Sequence, residues 1–330
     1  MERLINGIQQ VGIGVADAGL AFQWYKRHLG FDTVVFEDVA EATLMKRYTG
    51  GKVHQRYAAL VMNMQGGGGL ELWQYTNRTP APPAQEVRVG DLGILAIKIR
   101  CKNARALHEI FSVESDVDVI SDVCASPAGT HHFFVRDPFG NLLQLVEDSY
   151  WFQKRGAPTG GVCGAILGVS SIEKALGFYK QLDYQQIGFE DSAHHQDLSA
   201  LPGGGSTCRR ALIQHCPSYQ GAFSPLLGPS SIELLECEET RRHVFRNRWW
   251  GDLGFIHLCY DLSHLEAHES LCSHSGCPLT INSQDSFDMG AAAGHFAYNE
   301  DPDGTLIEYV ETHKVPIIKK LGWYLDLKKR

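Results

Sequence analysis

Apolar and polar positions follow two periods along this chain, and the pattern restarts four times. Residues 8–15 form an apolar run that predicts a buried strand, and residues 17–29, with Leu20, Phe22, Trp24 and Tyr25, predict a helix. Three more strands are expected at residues 33–36, 57–64 and 70–75. Four glycines, Gly66 to Gly69, join the last two and read as a hairpin turn. They are not a phosphate loop, because no helix opening on Gly-Lys-Ser/Thr follows. After a proline-rich linker at 79–83 the order begins again: a strand at 92–100, a helix at 103–111, and strands at 117–120, 131–135 and 142–146. The second half follows suit from Val162.

The expected fold is therefore α+β, with four βαβββ modules: A (1–80), B (88–150), C (160–245) and D (250–312). They form two domains by tandem duplication, 1–155 and 156–312, followed by a tail at 313–330. Three echoes support the duplication. Trp24-Tyr25-Lys26 returns as Phe178-Tyr179-Lys180, Gly90-Asp91-Leu92-Gly93 as Gly251-Asp252-Leu253-Gly254, and Asp137-Pro138-Phe139-Gly140 as Asp301-Pro302-Asp303-Gly304. Equivalent positions can thus be compared within one chain.

Composition narrows the function. A net charge of −8 with no long run of Lys or Arg argues against a nucleic-acid or anionic-membrane partner. No stretch approaches a membrane span, and the start of the chain lacks the apolar core of a signal peptide. Nine cysteines without a CxxC fit a reducing cytoplasm. His264, His268, Cys272, His274 and Cys277 lie close together, with His264, His268 and Cys272 on one helical face, but no second ligand knot of finger-type spacing accompanies them. The apolar residues of the tail are expected to cover a domain surface.

The module openings Gln10-Val11-Gly12-Ile13-Gly14-Val15 and His257-Leu258-Cys259-Tyr260 carry a resemblance, as do Leu70-Glu71-Leu72, Ile232-Glu233-Leu234 and the closing Asp301-Pro302-Asp303-Gly304 with Ile307-Glu308. On these motifs the chain resembles the vicinal oxygen chelate superfamily of glyoxalase I, extradiol dioxygenases and bleomycin-resistance proteins. The resemblance implies curled eight-stranded sheets, each made by two modules around a metal. Ligands then stand early in each module's first strand and midway along its last.

Those positions are Gln10 and Glu71 in A, Ala96 and Gln144 in B, Gly164 and Glu233 in C, and His257 and Glu308 in D. Ala96 and His257 both lie six residues after the first glycine of the shared Gly-Asp-Leu-Gly. If neighbours pair, C with D offers three ligands and a gap. If outer pairs with outer, A and D together offer Gln10, Glu71, His257 and Glu308, while B and C are left with Ala96, Gln144, Gly164 and Glu233. The second arrangement, which resembles the monomeric duplicated glyoxalases, is the one expected.

Two carboxylates, an imidazole and an amide oxygen suit one divalent cation (Zn, Ni, Co, Mn or Fe) with positions left for water or substrate. The resemblance then implies a glyoxalase I-type isomerase, epimerase or lyase acting on a small molecule with vicinal oxygens. The metal stabilises an enediolate while Glu308, with Glu71 opposite, carries the proton. Glutathione-dependent members have an arginine four residues after the first ligand and an asparagine four after the first glutamate. Gly14 and Tyr75 stand there, so a glutathione thioester is not expected. Trp73 and Tyr75 suggest an aromatic substrate wall, and Arg56 an anion anchor. An Fe(II) ring-cleaving dioxygenase and a non-catalytic small-molecule binder remain the alternatives, in a monomer or weak homodimer.

Overall fold

The computed structural model describes residues 3–238, 242–284, 287–288, 293–318 and 323–326. Two curled sheets dominate it, of ten and nine strands, with the helices packed against them. Each sheet takes one module from each half of the chain. In the first, the module D strands Ala293–Glu300, Leu306–Ile318 and Gly254–Ser263 run on into the module A strands Leu4–Gly14, Gly69–Tyr75, Gln55–Met62 and Thr33–Glu41. In the second, the module C strands Gln186–His194, Thr207–His215, Ser230–Cys237 and Thr159–Gly168 run on into the module B strands Gly93–Cys101, Leu142–Glu147 and His131–Arg136.

The modules join through their opening strands. Leu4–Gly14 pairs antiparallel with Gly254–Ser263, and Thr159–Gly168 pairs in the same way with Gly93–Cys101. Within each module the closing strand lies parallel to the opening one. The duplicated halves are therefore repeats of sequence, while the sheets are built across them. The last strand does not stop at residue 312: it continues to Ile318 and pairs with Trp323–Asp326.

Local chemistry sets the helices. Asp17 accepts from the Leu20 N–H at the start of Ala18–Leu29, and Gly30 closes that helix in the left-handed conformation. Asn103 and Ser171 cap Ala104–Phe111 and Ile172–Tyr179 in the same way. The inward face of the first helix is Ala21, Trp24, Tyr25, His28 and Leu29, whereas Leu20 is on the surface.

The repeated motifs have a structural role. Asp137 accepts from the backbone N–H groups of Phe139 and Asn141, and Asp301 from those of Asp303 and Thr305. The phenol of Tyr25 donates to Asp137, and that of Tyr179 to Asp301 at 3.1 Å. Each motif turn is thus locked to the helix of the module before it, which ties A to B and C to D across the two sheets. One core cluster runs through all four modules, from Ile8 and Tyr25 to Phe133, Tyr179 and Tyr309.

One cysteine pair departs from the all-thiol reading. Cys208 and Cys237, on adjacent strands of module C, form a disulfide, and the other seven cysteines are free. Among the described residues no helix is long and apolar enough to cross a membrane.

Candidate metal centre

Four consecutive strands at the middle of the first sheet each bring one residue to a common point: Glu308, His257, Gln10 and Glu71. Register places them. Gln10 lies opposite Cys259, which neighbours Glu308 on the other side, and Gly12 lies opposite both His257 and Glu71. His257 Nε2 is 2.9 Å from Glu308 Oε2 and 3.5 Å from Glu71 Oε2. Gln10 Nε2 reaches Glu308 Oε2 at 3.5 Å. One donor atom from each of Glu71, His257 and Glu308 falls within 4.8 Å of the others.

A buried group of this kind is costly without compensating charge. His257 is fully buried, and Gln10 and Glu308 are nearly so. Taking two carboxylates out of water beside one imidazole is costly unless positive charge compensates. The strain shows in the protonation equilibria. Burial, then the charge of Glu308, pushes the Glu71 carboxyl up to about 7. Burial works to lower the His257 imidazole, but the attraction of Glu308 and Glu71 outweighs it and raises it. Gln10 Oε1 is buried with no hydrogen-bond partner, and His257 Nε2, although close to Glu308, is not aligned for a hydrogen bond with it. Two carboxylates and an imidazole gathered within this distance, beside an amide whose oxygen has no partner, fit the donor set of a divalent ion.

Gly12 makes the imidazole possible. A Cβ at this position would lie 2.7 Å from His257 Nδ1 and 2.8 Å from Nε2, and closer still to the carbon between them. The equivalent pair in the second sheet is Ile166 opposite Ala96, where the bulk has moved to the other strand.

A cavity of about 300 Å³ opens over the centre, lined by Gln10, Glu71 and Glu308 together with Arg56, Trp73 and Phe36. Arg56 donates to the carbonyl and the carboxylate of Asp38, at 2.9 and 3.0 Å. Tyr75 does not line this cavity. Its hydroxyl donates to the Trp250 carbonyl, and its ring carries the Arg78 guanidinium. Trp250 and Tyr298, which the sequence reading missed, do line it. The Trp250 ring lies parallel to His257, and Tyr298 meets the imidazole edge-on at 5.4 Å. A signal for Trp250 existed: Trp249-Trp250 precedes Gly251 where Arg88-Val89 precedes Gly90.

The second sheet holds a different group at the equivalent rungs. Glu233 receives Lys98 Nζ at 2.7 Å and Arg210 Nε at 2.6 Å, and Arg210 also holds Asp197 at 2.7 Å, which faces His132. Burial opposes ionisation of Glu233, but Arg210 and Lys98 outweigh it and bring the carboxyl down to about 2. An ammonium here meets the glutamate that in the first sheet faces the proposed cation. Among the described residues, the only other cluster of three possible ligands is His28, Glu114 and Asp116, where Arg27 already binds both acids. His264, His268, Cys272, His274 and Cys277 form no such cluster. His268 approaches Cys272 at 3.4 Å but packs on Tyr309, and His274 hydrogen-bonds the Ser270 carbonyl.

Comparison with known proteins shows what the fold is similar to. Residues 7–145 match the model of the Glyoxalase/Bleomycin resistance protein/Dioxygenase superfamily. That match spans less than half of the chain, and the repeated module architecture carries the same fold through the rest. Solved structures share the fold over nearly the whole chain. Glyoxalase I from Zea mays is 13% identical, with a TM-score of 0.56 over 94% of this chain and 92% of its own. A mutant form of that maize enzyme is 12% identical, with a TM-score of 0.58 over 94% and 92%. A provisionally described dioxygenase from Bacillus subtilis subsp. subtilis str. 168 is 13% identical, with a TM-score of 0.60 over 94% and 86%. No curated protein sequence matches the chain.

Proposed function

We propose that the chain binds one divalent cation through Gln10, Glu71, His257 and Glu308, and catalyses proton transfer on a small substrate with oxygens on adjacent carbons. The observation that carries this reading is the gathering of four donor groups from both ends of the chain on one buried point, where Gln10 Oε1 has no other partner. When bound, such an ion polarises the substrate oxygens and acidifies the neighbouring C–H. The rest falls to the protein. Glu308 accepts the proton from one carbon and returns it to the next, and Glu71 faces it across the cavity. Trp73, Trp250 and Tyr298 exclude water from that exchange. Arg56, half-neutralised by Asp38, positions a carbonyl or carboxylate oxygen at the rim. This makes the chain an isomerase, epimerase or lyase of the glyoxalase I type, without the glutathione partners.

A ring-cleaving Fe(II) dioxygenase is less well served, because that chemistry wants two imidazoles, one carboxylate and three open positions. Here a second carboxylate and an amide replace one imidazole. The test is metal analysis of chain purified without chelators, followed by hydrogen–deuterium exchange into hydroxyacetone monitored by NMR. One equivalent of metal and metal-dependent exchange are expected. No metal, or two equivalents, refutes the assignment, and oxygen uptake with hydroquinones without exchange transfers it to the dioxygenases.

A further inference from the structure

The concave face of the second sheet lacks the metal ligands yet keeps a cavity of about 230 Å³. Its lining includes Lys98, His132, Gln144, His215, Thr130 and Ser126. Three of these are more than nine-tenths buried and leave polar atoms without partners: Gln144 Oε1, His132 Nδ1 and His215 Nδ1. Buried polar atoms are nearly always satisfied, so three on residues that line one cavity point to a hydrogen-bonding occupant. Lys98 spends one N–H on Glu233 and has two more to give.

Charge selects the kind of occupant. The charged groups that line it are Lys98, Glu233, Glu147 and Asp148, and each has a partner. Glu233 holds Lys98 and, behind the wall, Arg210, which also holds Asp197; Asp148 holds Arg100; and Glu147 accepts from the Ala104 N–H and faces His131. A carboxylate or phosphate entering here would meet three carboxylates and a single ammonium already held by Glu233, and an ammonium would meet carboxylates that already have partners. The amide, imidazole and hydroxyl groups, with the free N–H groups of Lys98, offer uncharged ligands both donors and acceptors. The cavity is also smaller than those that enclose drug-sized ligands, which run from about 300 Å³.

We propose that this face is a second binding site, free of metal, for a small neutral polyhydroxylated molecule of the sugar or polyol class. Its hydroxyls donate to Gln144 Oε1 and to the imidazoles of His132 and His215, and accept from Lys98. Duplication has then left one chain with two kinds of pocket: one that supplies a cation to a substrate, and one whose cation is already consumed by Glu233.

Saturation-transfer NMR and calorimetry on the intact chain test this, with D-ribose and glycerol as neutral probes and L-lactate and inorganic phosphate as charged ones. Transfer to ribose is expected, weakened about tenfold by Gln144→Leu, which removes an acceptor at nearly constant volume. Glu308→Gln, which alters the metal pocket, leaves the ribose signal unchanged. Matching thermal unfolding of both variants establishes that they are folded. If Gln144→Leu does not fold, Thr130→Val carries the same expectation at the cavity rim. Absence of transfer to either neutral probe overturns the proposal. So does loss of the ribose signal in Glu308→Gln, or tighter binding of lactate or phosphate than of ribose.

Discussion

Replacing Gly12 by alanine isolates the steric condition on which the proposed metal centre depends. Gly12 is not in the left-handed region, so its backbone accepts any residue. The whole effect falls on the imidazole, which the new methyl group would approach to 2.7 Å at Nδ1 and 2.8 Å at Nε2. The ring has little room to retreat, because it is fully buried between Trp250 and Tyr298. Overpacking of this kind costs about 1–3 kcal/mol, and a fall in Tm of several degrees is expected. Metal affinity should drop about 100-fold, the upper end of what disturbing a ligand's supports costs. His257→Ala added to Gly12→Ala should recover the lost stability without the metal, because the methyl then occupies space the ring has left. The second sheet already contains this solution as Ile166 opposite Ala96. Chelator-competition titration and thermal unfolding of the two single variants and the double variant make the measurement. Metal affinity of Gly12→Ala within threefold of wild type, with an unchanged Tm, would refute the reasoning. So would a double variant whose destabilisation is the simple sum of the singles.

Three further outcomes are expected. Glu308→Gln should abolish metal retention, whereas Glu233→Gln should leave it intact and instead cost about 3 kcal/mol by stranding Lys98 and Arg210 in the interior; metal analysis and denaturant titration read the two effects separately. Acid should weaken the second sheet first. The folded-state value of Glu233 is depressed to about 2 from an ordinary 4.5, so its contribution is fully present above about pH 4.5 and is lost as pH falls from there towards 2. That loss should be absent from the stability profile of Glu233→Gln. Tyr179→Phe removes the donor to Asp301 and should cost about 1–3 kcal/mol in urea unfolding without changing metal content.

Much of this arrangement was legible in the sequence because duplication preserves register. Counting from Gly-Asp-Leu-Gly assigns Ala96 and His257 to one rung, and the strand pairing places both opposite the equivalent residue of the partnering module. Sorting ligands from blanks was then enough to pair outer with outer. Legibility ended where a residue's role depends on a strand distant in sequence. Glu233 reads as a ligand in its own strand, but Arg210 from the adjacent strand and Lys98 from module B turn it into half of an ion-pair network. Alternation correctly puts Glu71 and Trp73 on the cavity wall, yet carries Tyr75 past the rim, where the backbone of Trp250 captures its hydroxyl. Gly12 is the instructive omission. A glycine in a strand usually speaks only of a bulge or a close approach, and nothing local says what approaches. Set beside its equivalent, Ile166, it says that one copy needs empty space where the other needs bulk. Paired with His257 against Ala96, that exchange is volume-conserving. The blank positions of the second sheet are therefore a repacked core, and a donor set like that of the first sheet could be built there only by changing Ile166, Ala96 and Lys98 together.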